Sequence, residues 1–122
     1  MSNPFETLQG QQFINLTTYR KSGQPVVTTV WFAQEGDRIV GTTQAQAGKI
    51  KRLRGTPKVS LAPSTFDGQV LGEALDGTGR VLSAEEAPIA EAALRGKYGA
   101  QYDQVTANSQ RATRVFWEVT PV

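Results

Sequence analysis

Cysteine and histidine are both absent from this sequence of 122 residues. Without cysteine, the chain has no disulfide, no thiol nucleophile and no thiolate ligand for a metal. Without histidine, it lacks Ser-His-Asp catalysis, the usual zinc sites and the commonest general base near neutral pH. If the protein is an enzyme, we therefore expect a cofactor to supply the difficult chemistry while the chain positions it, and we expect no metal site.

Long apolar runs and a strong charge of one sign are also missing. No stretch approaches the ~20 apolar residues of a membrane span. The opening residues 1–6 lack the basic and apolar regions of a signal peptide. Thirteen basic and eleven acidic residues give a net charge of +2, which is too weak to indicate nucleic-acid binding. We therefore expect one domain over residues 1–122, in the cytoplasm, without nucleic-acid or membrane partners.

Short runs of β-branched and aromatic residues, separated by turn residues, predict a mainly β fold. The strongest run covers residues 26–32, and its two apolar or hydroxylated faces indicate a central strand. Five other strands are predicted over residues 12–19, 38–43, 58–63, 73–82 and 114–120. Within the strand over residues 73–82, the two glycines of residues 76–79 indicate a bend or bulge.

Helix start signals occur at three places. Asn3, Pro4 and Glu6 indicate a short N-terminal helix, and residues 83–86 form a capping box before a predicted helix of about fifteen residues. Residues 48–54 are predicted to form a short basic helix, and residues 99–112 a polar, mobile loop. Six strands, two short helices and one longer helix suggest a small antiparallel barrel with attached helices.

The segment over residues 42–54 has the composition of an anion site. It leaves a strand through hydroxyls, turns through small residues and enters a helix carrying four of the chain's thirteen basic residues. Helix N-termini present unpaired N–H groups and a partial positive charge, and Lys49 adds a full charge beside the apolar stripe of Ile50 and Leu53. Lys51 and Arg52 are expected to point outward. We interpret the segment as a phosphate cradle, and the alternative is a solvated basic helix.

Aromatic and hydroxyl side chains on the predicted strands suit a flat, hydroxylated ligand. Trp31 and Phe32 alternate faces, so at least one is expected in the core and the other can wall an aromatic cofactor. Threonines at residues 28–29 and 42–43 form two hydroxyl pairs on strands expected to be neighbours, where they suit a ribityl chain or phosphate. The alternative for each is the ordinary role of such residues in strands.

Two motifs resemble those of a known family. Residues 18–32, TYRKxGxPVxTxVWF, resemble the opening hairpin of the pyridoxamine-phosphate-oxidase-like split β-barrels. Residues 48–63, GKxKRLRxxPxVxLAP, are similar to the phosphate-binding segment of the same family. The most similar branch is that of the small actinobacterial-type flavin/deazaflavin oxidoreductases that use coenzyme F420.

This resemblance implies a six-stranded antiparallel split β-barrel that forms a homodimer, with two equivalent cofactor grooves at the interface. By position, it assigns Lys49, Thr42, Thr43 and Gly48 to the phosphate, Thr29, Val30 and Trp31 to the tricyclic ring, and Lys51 and Arg54 to further phosphate or an acidic coenzyme tail. At residues 47–48, Ala-Gly stands where the classical oxidases have Ser-Arg, whose arginine also grips phosphate. This departure argues against a true pyridoxamine phosphate oxidase. It implies that Lys49 contributes a larger share of phosphate binding.

The implied activity is hydride transfer between coenzyme F420 and a small unsaturated organic substrate. The alternatives are an FMN-dependent oxidoreductase of the same fold and a non-catalytic flavin- or deazaflavin-binding protein. Both cofactors carry a tricyclic ring, a ribityl chain and a phosphate. Only the deazaflavin has a lactyl-glutamate tail, for which Lys51, Arg52 and Arg54 are candidate partners. No side chain stands out as a proton donor, so the catalytic residue stays unassigned.

Overall fold

An antiparallel sheet of seven strands dominates the computed structural model, which describes residues 5, 8–44, 47–109 and 114–121. The strands are β1 (Phe13–Tyr19), β2 (Pro25–Val30), β3 (Ala33–Glu35), β4 (Arg38–Gln44), β5 (Lys58–Ser64), β6 (Leu75–Val81) and β7 (Arg114–Pro121). The predicted mainly β antiparallel fold is confirmed. The predicted number of six strands is wrong, because the three-residue β3 is too short to leave an alternating pattern in the sequence.

The sheet closes on itself through a two-residue crossover. Its strand order is β2-β1-β5-β6-β7-β4-β3, so β2 and β3 are the two edge strands in the described chain. Only Trp31 and Phe32 separate the end of β2 from the start of β3. Three residue steps span at most ~11 Å. The two edges must therefore approach each other at this corner, which gives the sheet the form of a split barrel.

The prediction that residues 26–32 form a central strand is wrong. The strand ends at Val30, and its only strand partner in the described chain is β1. Val27 remains 56% exposed on its outer face. Apolar faces indicate burial on either side of a strand, but they do not report which backbone edges are hydrogen-bonded. This uncovered edge strand lies beside the candidate site described below.

The two glycines of β6 maintain a continuous strand. β6 pairs with β7 without interruption through Gly77 and Gly79 and with β5 through Gly77, so the predicted bend or bulge is wrong. A Cβ atom at Gly77 would overlap Val119, and one at Gly79 would overlap Leu53. These glycines therefore serve close packing of the strand against its neighbours rather than a turn.

A buried cluster lies under the curved sheet and is covered by a short helix. Ile14 and Leu16 of β1 are fully buried, as the alternation of that strand predicts. Helix α1 (Gly48–Gly55) contributes Ile50 and Leu53 to the same cluster, which confirms the predicted basic helix and its apolar stripe. Trp117 of β7 fills the centre, lying against the backbone of β4.

Two further helices pack on the other side of the sheet. No helix in the described chain is long and apolar enough to span a membrane. Helix α2 (Ala87–Tyr98) starts after the predicted capping segment, where the Ser83 N–H donates to the Glu86 carboxylate at 2.9 Å. It has twelve residues rather than about fifteen.

Helix α3 (Ala100–Ser109) occupies most of the segment predicted to be a polar loop, and that prediction is wrong. Gly99, at φ +58°, ends α2 and allows the chain to start again as a helix. Tyr102 anchors α3, being 1% exposed and packed in a second apolar cluster with α2. The predicted helix start at Asn3, Pro4 and Glu6 lies outside the described residues.

Candidate functional site

A cavity of about 380 Å³ opens at the corner where the two edges of the sheet meet. Its walls come from strands β1, β2, β4 and β7, from the crossover after β2, from α3 and from the loop that follows β5. The lining residues are Phe13, Thr29, Val30, Trp31, Thr42, Phe66, Tyr102 and Arg114. This cavity brings together four of the predicted site residues, and the other five lie outside its lining.

Trp31 forms one wall and is held from behind by α2. Its indole ring stacks on the Tyr98 ring with a centroid distance of 4.1 Å and an interplanar angle of 6°. The neighbouring Phe32 is 1% exposed, which confirms that at least one of the two aromatics belongs to the core. Trp31 therefore has one face against protein, while the residue borders the cavity.

A second wall belongs to the loop after β5, and a buried amide fixes its position. Asn15 accepts a hydrogen bond from the Thr29 hydroxyl at 2.7 Å and donates to the Gly68 carbonyl at 2.9 Å. Gly68 has φ +90°, and an added Cβ there would sit 3.1 Å from the Thr29 Oγ1 atom. This loop carries Phe66 against Phe13 in an edge-to-face contact with centroids 5.7 Å apart.

The two predicted hydroxyl pairs do not lie on neighbouring strands. β2 pairs with β1, whereas β4 lies between β7 and β3. Thr29 and Thr42 still reach one cavity, because closure of the sheet brings their strands to the same corner. Thr28 and Thr43 are next to them in their strands and therefore point to the opposite faces.

Lys49 of α1 lies near Arg52 of the same helix and near Arg114 of β7, and we call these three residues the cation cluster. Burial lowers the pKa of Lys49, and the charges of Arg52 and Arg114 lower it further. Arg114 borders the cavity and donates to the Thr42 hydroxyl at 3.3 Å. Within the described chain, no carboxylate lies at ion-pair distance from Lys49 or Arg52. Such a cluster favours a bound anion.

Arg52 is turned inward, which corrects the prediction that it points to solvent. Its Nε atom donates to the hydroxyl of the buried Thr18 at 2.6 Å. Burial lowers the pKa of Arg52, and the charge of Arg20 contributes to the same shift. A simple helical projection places Arg52 outside the apolar stripe, but a long side chain can fold back over a neighbouring strand.

A separate basic groove of about 420 Å³ lies on the outer side of α1. Its lining residues are Tyr19, Arg20, Lys21, Gly48, Lys51, Arg52, Gly55 and Thr56. The groove contains two of the predicted site residues, Gly48 and Lys51. Arg54 instead borders a different cavity, beside β6 and the start of α2. Sequence reasoning missed Arg20 and Lys21, although both stand within the opening motif that carries the resemblance.

Sequence comparison extends over almost the whole chain. Residues 5–122 match the family model described as pyridoxamine 5′-phosphate oxidase. The chain belongs to this family. No curated protein sequence matches it significantly.

Solved structures with the same fold include proteins with different descriptions. A heme storage protein from Vibrio cholerae has a TM-score of 0.73 and 17% identity, over 96% of this chain and 86% of its own. A conserved hypothetical protein from Mycobacterium tuberculosis has a TM-score of 0.71 and 20% identity, over 99% and 81%. An FAD-binding protein from Mesorhizobium loti has a TM-score of 0.68 and 18% identity, over 93% and 82%. At these identities the likeness concerns the fold alone.

Proposed function

We propose that this member of the pyridoxamine 5′-phosphate oxidase family is an oxidoreductase that uses coenzyme F420. The bound deazaflavin would supply or accept a hydride, and a small unsaturated organic molecule would be its partner in the reaction. The observation that carries this proposal is the continuity between an aromatic cavity and a cation cluster. Arg114 belongs to both, because it borders the cavity and its charge lowers the pKa of Lys49.

The aromatic cavity has the chemistry required by a tricyclic ring. Trp31, Phe13 and Phe66 offer flat apolar surface, and Thr29 and Thr42 offer hydroxyls at its border. Mainly apolar pockets with a few placed polar groups are typical of cofactor sites. We assign Thr29, Val30 and Trp31 to the ring.

The cation cluster has the chemistry required by the phosphate. Lys49 lies in the first turn of α1, where free N–H groups and the helix dipole favour an anion. Ala47 stands at the N-cap of this helix and gives no side-chain cap. We assign Lys49 and Gly48 to the phosphate, with Thr42 and Thr43 on the strand that leads toward it.

The basic groove favours coenzyme F420 over FMN, because only F420 carries an acidic tail. Arg20, Lys21 and Lys51 give this groove positive charge, and Gly48 and Arg52, a member of the cation cluster, belong to its lining. FMN ends at its phosphate and leaves such a groove without a partner. Lys51 is therefore assigned to the tail, whereas Arg54 is the weaker candidate because it borders another cavity.

FMN-dependent oxidation or reduction and non-catalytic cofactor binding remain the alternatives. The anchoring groups named above serve either cofactor. Heme is disfavoured by the composition, because histidine and cysteine, two of its common axial ligands, do not occur in the sequence.

A homodimer would cover the open side of the cavity. Val27 on the uncovered edge strand is exposed, and the loop after β5 exposes Phe66, Val70 and Leu71 by 80%, 62% and 56%. Phe66 also borders the cavity. Large exposed apolar side chains beside an open pocket are typical of a protein interface.

Fluorescence titration with F420 and with FMN tests the proposal. The expected result is tighter binding of F420, with loss of affinity in Lys49→Ala and none in the control Lys58→Ala, an exposed lysine at the start of β5. Equal or tighter binding of FMN would move the protein to the flavin alternative. Binding of reduced F420 without oxidation by any of a panel of enones, quinones and nitroaromatics would favour the non-catalytic alternative.

A further inference from the structure

The segment that carries Trp31 lies outside the strands. Trp31 and Phe32 cross from one edge of the sheet to the other, between the end of β2 and the start of β3. Strand pairing fixes a side chain through its backbone ladder, and these two residues have none. Their orientation must therefore come from groups outside the sheet.

The last turn of α2 supplies those groups. The Phe32 N–H donates to the Tyr98 hydroxyl at 3.0 Å, and this hydroxyl lies 2.9 Å from the Phe32 carbonyl and 2.7 Å from the Gln12 carbonyl. Lys97 donates to the same Phe32 carbonyl at 2.9 Å. Two neighbouring helix residues thus hold the crossover backbone, while the Tyr98 ring lies flat against Trp31.

The stack leaves the indole with a defined orientation at the cavity border. Tyr98 is 6% exposed and does not belong to the cavity lining, whereas Trp31 does. A nearly parallel ring at 4.1 Å limits rotation of the indole about its side-chain bonds. A pre-oriented aromatic wall loses less conformational entropy when a flat ligand binds.

We propose that Tyr98 is a positioning residue, whose ring holds Trp31 as a preformed platform for a flat conjugated ring in the cavity. This inference rests on the proposed function for the nature of the ligand. It adds a residue outside the cavity that acts on ring recognition alone. The phosphate is recognised elsewhere, at the cation cluster, so the two contributions should separate.

The experiment compares Tyr98→Leu with Tyr98→Phe, and riboflavin with FMN as probes. Both variants lose the hydroxyl and its hydrogen bonds, but only Tyr98→Leu loses the stacked ring. We expect Tyr98→Leu to weaken both probes about 10-fold and Tyr98→Phe to weaken them by less than about 3-fold. Lys49→Ala should weaken FMN but not riboflavin, because riboflavin has no phosphate.

Two results would overturn the inference. If Tyr98→Leu binds both probes as tightly as the wild type, the ring does not position Trp31. If Tyr98→Phe loses as much affinity as Tyr98→Leu, the hydrogen bonds and the stability of α2 explain the effect. Thermal unfolding of both variants is measured in parallel, because a purely structural role would make affinity follow stability in each.

Failure of the proposed function has a different signature. If the wild type binds none of riboflavin, FMN and F420, the proposed cofactor is wrong. The stacking of Tyr98 on Trp31 can still be tested without a ligand. Trp117 is fully buried, so quenching of tryptophan emission by acrylamide reports mainly on Trp31. Quenching should then increase in Tyr98→Leu and stay unchanged in Tyr98→Phe. Equal quenching in the wild type and Tyr98→Leu would overturn the positioning role.

Discussion

Cations in two regions of the molecule are arranged in opposite ways. Where β4, β6 and β7 meet the start of α2, each arginine has carboxylate partners. Arg38 contacts Glu35 at 2.8 Å and Glu118 at 2.7 Å. Arg80 contacts Glu118 at 3.0 Å and Glu86 at 2.7 Å. We call these five residues the ion-pair chain, and it lowers the pKa of Glu86 to about 2, mainly through the hydrogen bond from Arg80.

In the cation cluster the arrangement differs, because no carboxylate of the described chain lies at ion-pair distance from Lys49 or Arg52. Burial and like charges lower the pKa of Lys49 and of Arg52, because both disfavour the protonated form. Mutual repulsion makes this part of the fold less stable than it would be with neutral side chains. Residues that reduce the stability of the free protein are typical of ligand sites. Here a bound anion would offset the repulsion between the positive charges. The comparison predicts that the ion-pair chain supports the fold and that the cation cluster supports binding.

The largest effect is expected from Glu118→Ala. Glu118 is 12% exposed and joins both arginines of the ion-pair chain. Its loss should lower the free energy of unfolding by about 2–4 kcal/mol, slightly below the cost for a fully buried pair. Urea denaturation measures this, with the exposed Glu73→Ala as the control. A urea midpoint equal to that of the wild type would show that the ion-pair chain does not stabilise the fold.

The next effect concerns Lys49→Ala, which should change binding and stability in opposite directions. Loss of a charged hydrogen-bond donor to phosphate should weaken cofactor affinity by about 1.5–3 kcal/mol. Because like-charge repulsion is relieved, the ligand-free variant should unfold at the same temperature as the wild type or at a higher one. Calorimetry of both forms measures the two effects. A variant with unchanged affinity and reduced stability would place Lys49 with the structural cations.

A smaller effect separates the basic groove from the cation cluster. The double substitution Arg20→Ala and Lys21→Ala should weaken F420 by about 0.5–2 kcal/mol, since exposed ion pairs contribute little individually. FMN affinity should stay constant, because FMN ends at its phosphate and has no acidic tail to contact Arg20 and Lys21. Titrations at low and high salt test the assignment, and the difference between variant and wild type should shrink as salt increases. Equal losses for F420 and FMN would mean that these residues act on the phosphate instead.

The last effect is confined to alkaline pH and concerns Lys97, which has no ion pair in the part of the chain that the structure describes. Burial lowers its pKa to about 8 from 10.5, so the unfolded chain binds this proton more tightly than the folded one. The Lys97 contribution to stability should therefore increase as pH rises from about 8 toward 10.5. Stability curves up to pH 10 should show a smaller rise in Lys97→Met than in the wild type or in Lys58→Met. Identical slopes in all three proteins would show that Lys97 keeps its proton equally in both states.

Local patterns in the sequence predicted most elements but not their neighbours in space. Alternation placed Ile14 and Leu16 in the core, and the apolar stripe placed Ile50 and Leu53 there. Neither pattern reports hydrogen-bond pairing, so the edge position of β2 was missed. Helix α3 was missed because its polar composition gives no apolar stripe, and among its described side chains only Tyr102 belongs to an apolar cluster.

The candidate site was predictable only in its pieces. The hydroxyl, aromatic and lysine positions at residues 29–31, 42 and 49 follow from the motifs, and the structure brings the first two groups to one cavity. Their companions Tyr98, Tyr102 and Arg114 come from helices and a strand far along the chain. Side chains that meet only through closure of a sheet have no fixed spacing in the sequence, so no sequence motif predicts them.

The position of β7 in the sheet has a consequence for biosynthesis. This strand lies between β6 and β4, yet it follows every other described strand along the chain. Until residues 114–121 leave the ribosome, the sheet can form only as two separate pieces. One piece contains β2, β1, β5 and β6, and the other is the hairpin of β3 and β4. Each piece exposes an unpaired edge that can recruit foreign strands. Completion of the fold therefore depends on long-range pairing formed late, and we expect this to slow folding and to leave the nascent chain open to chaperone binding.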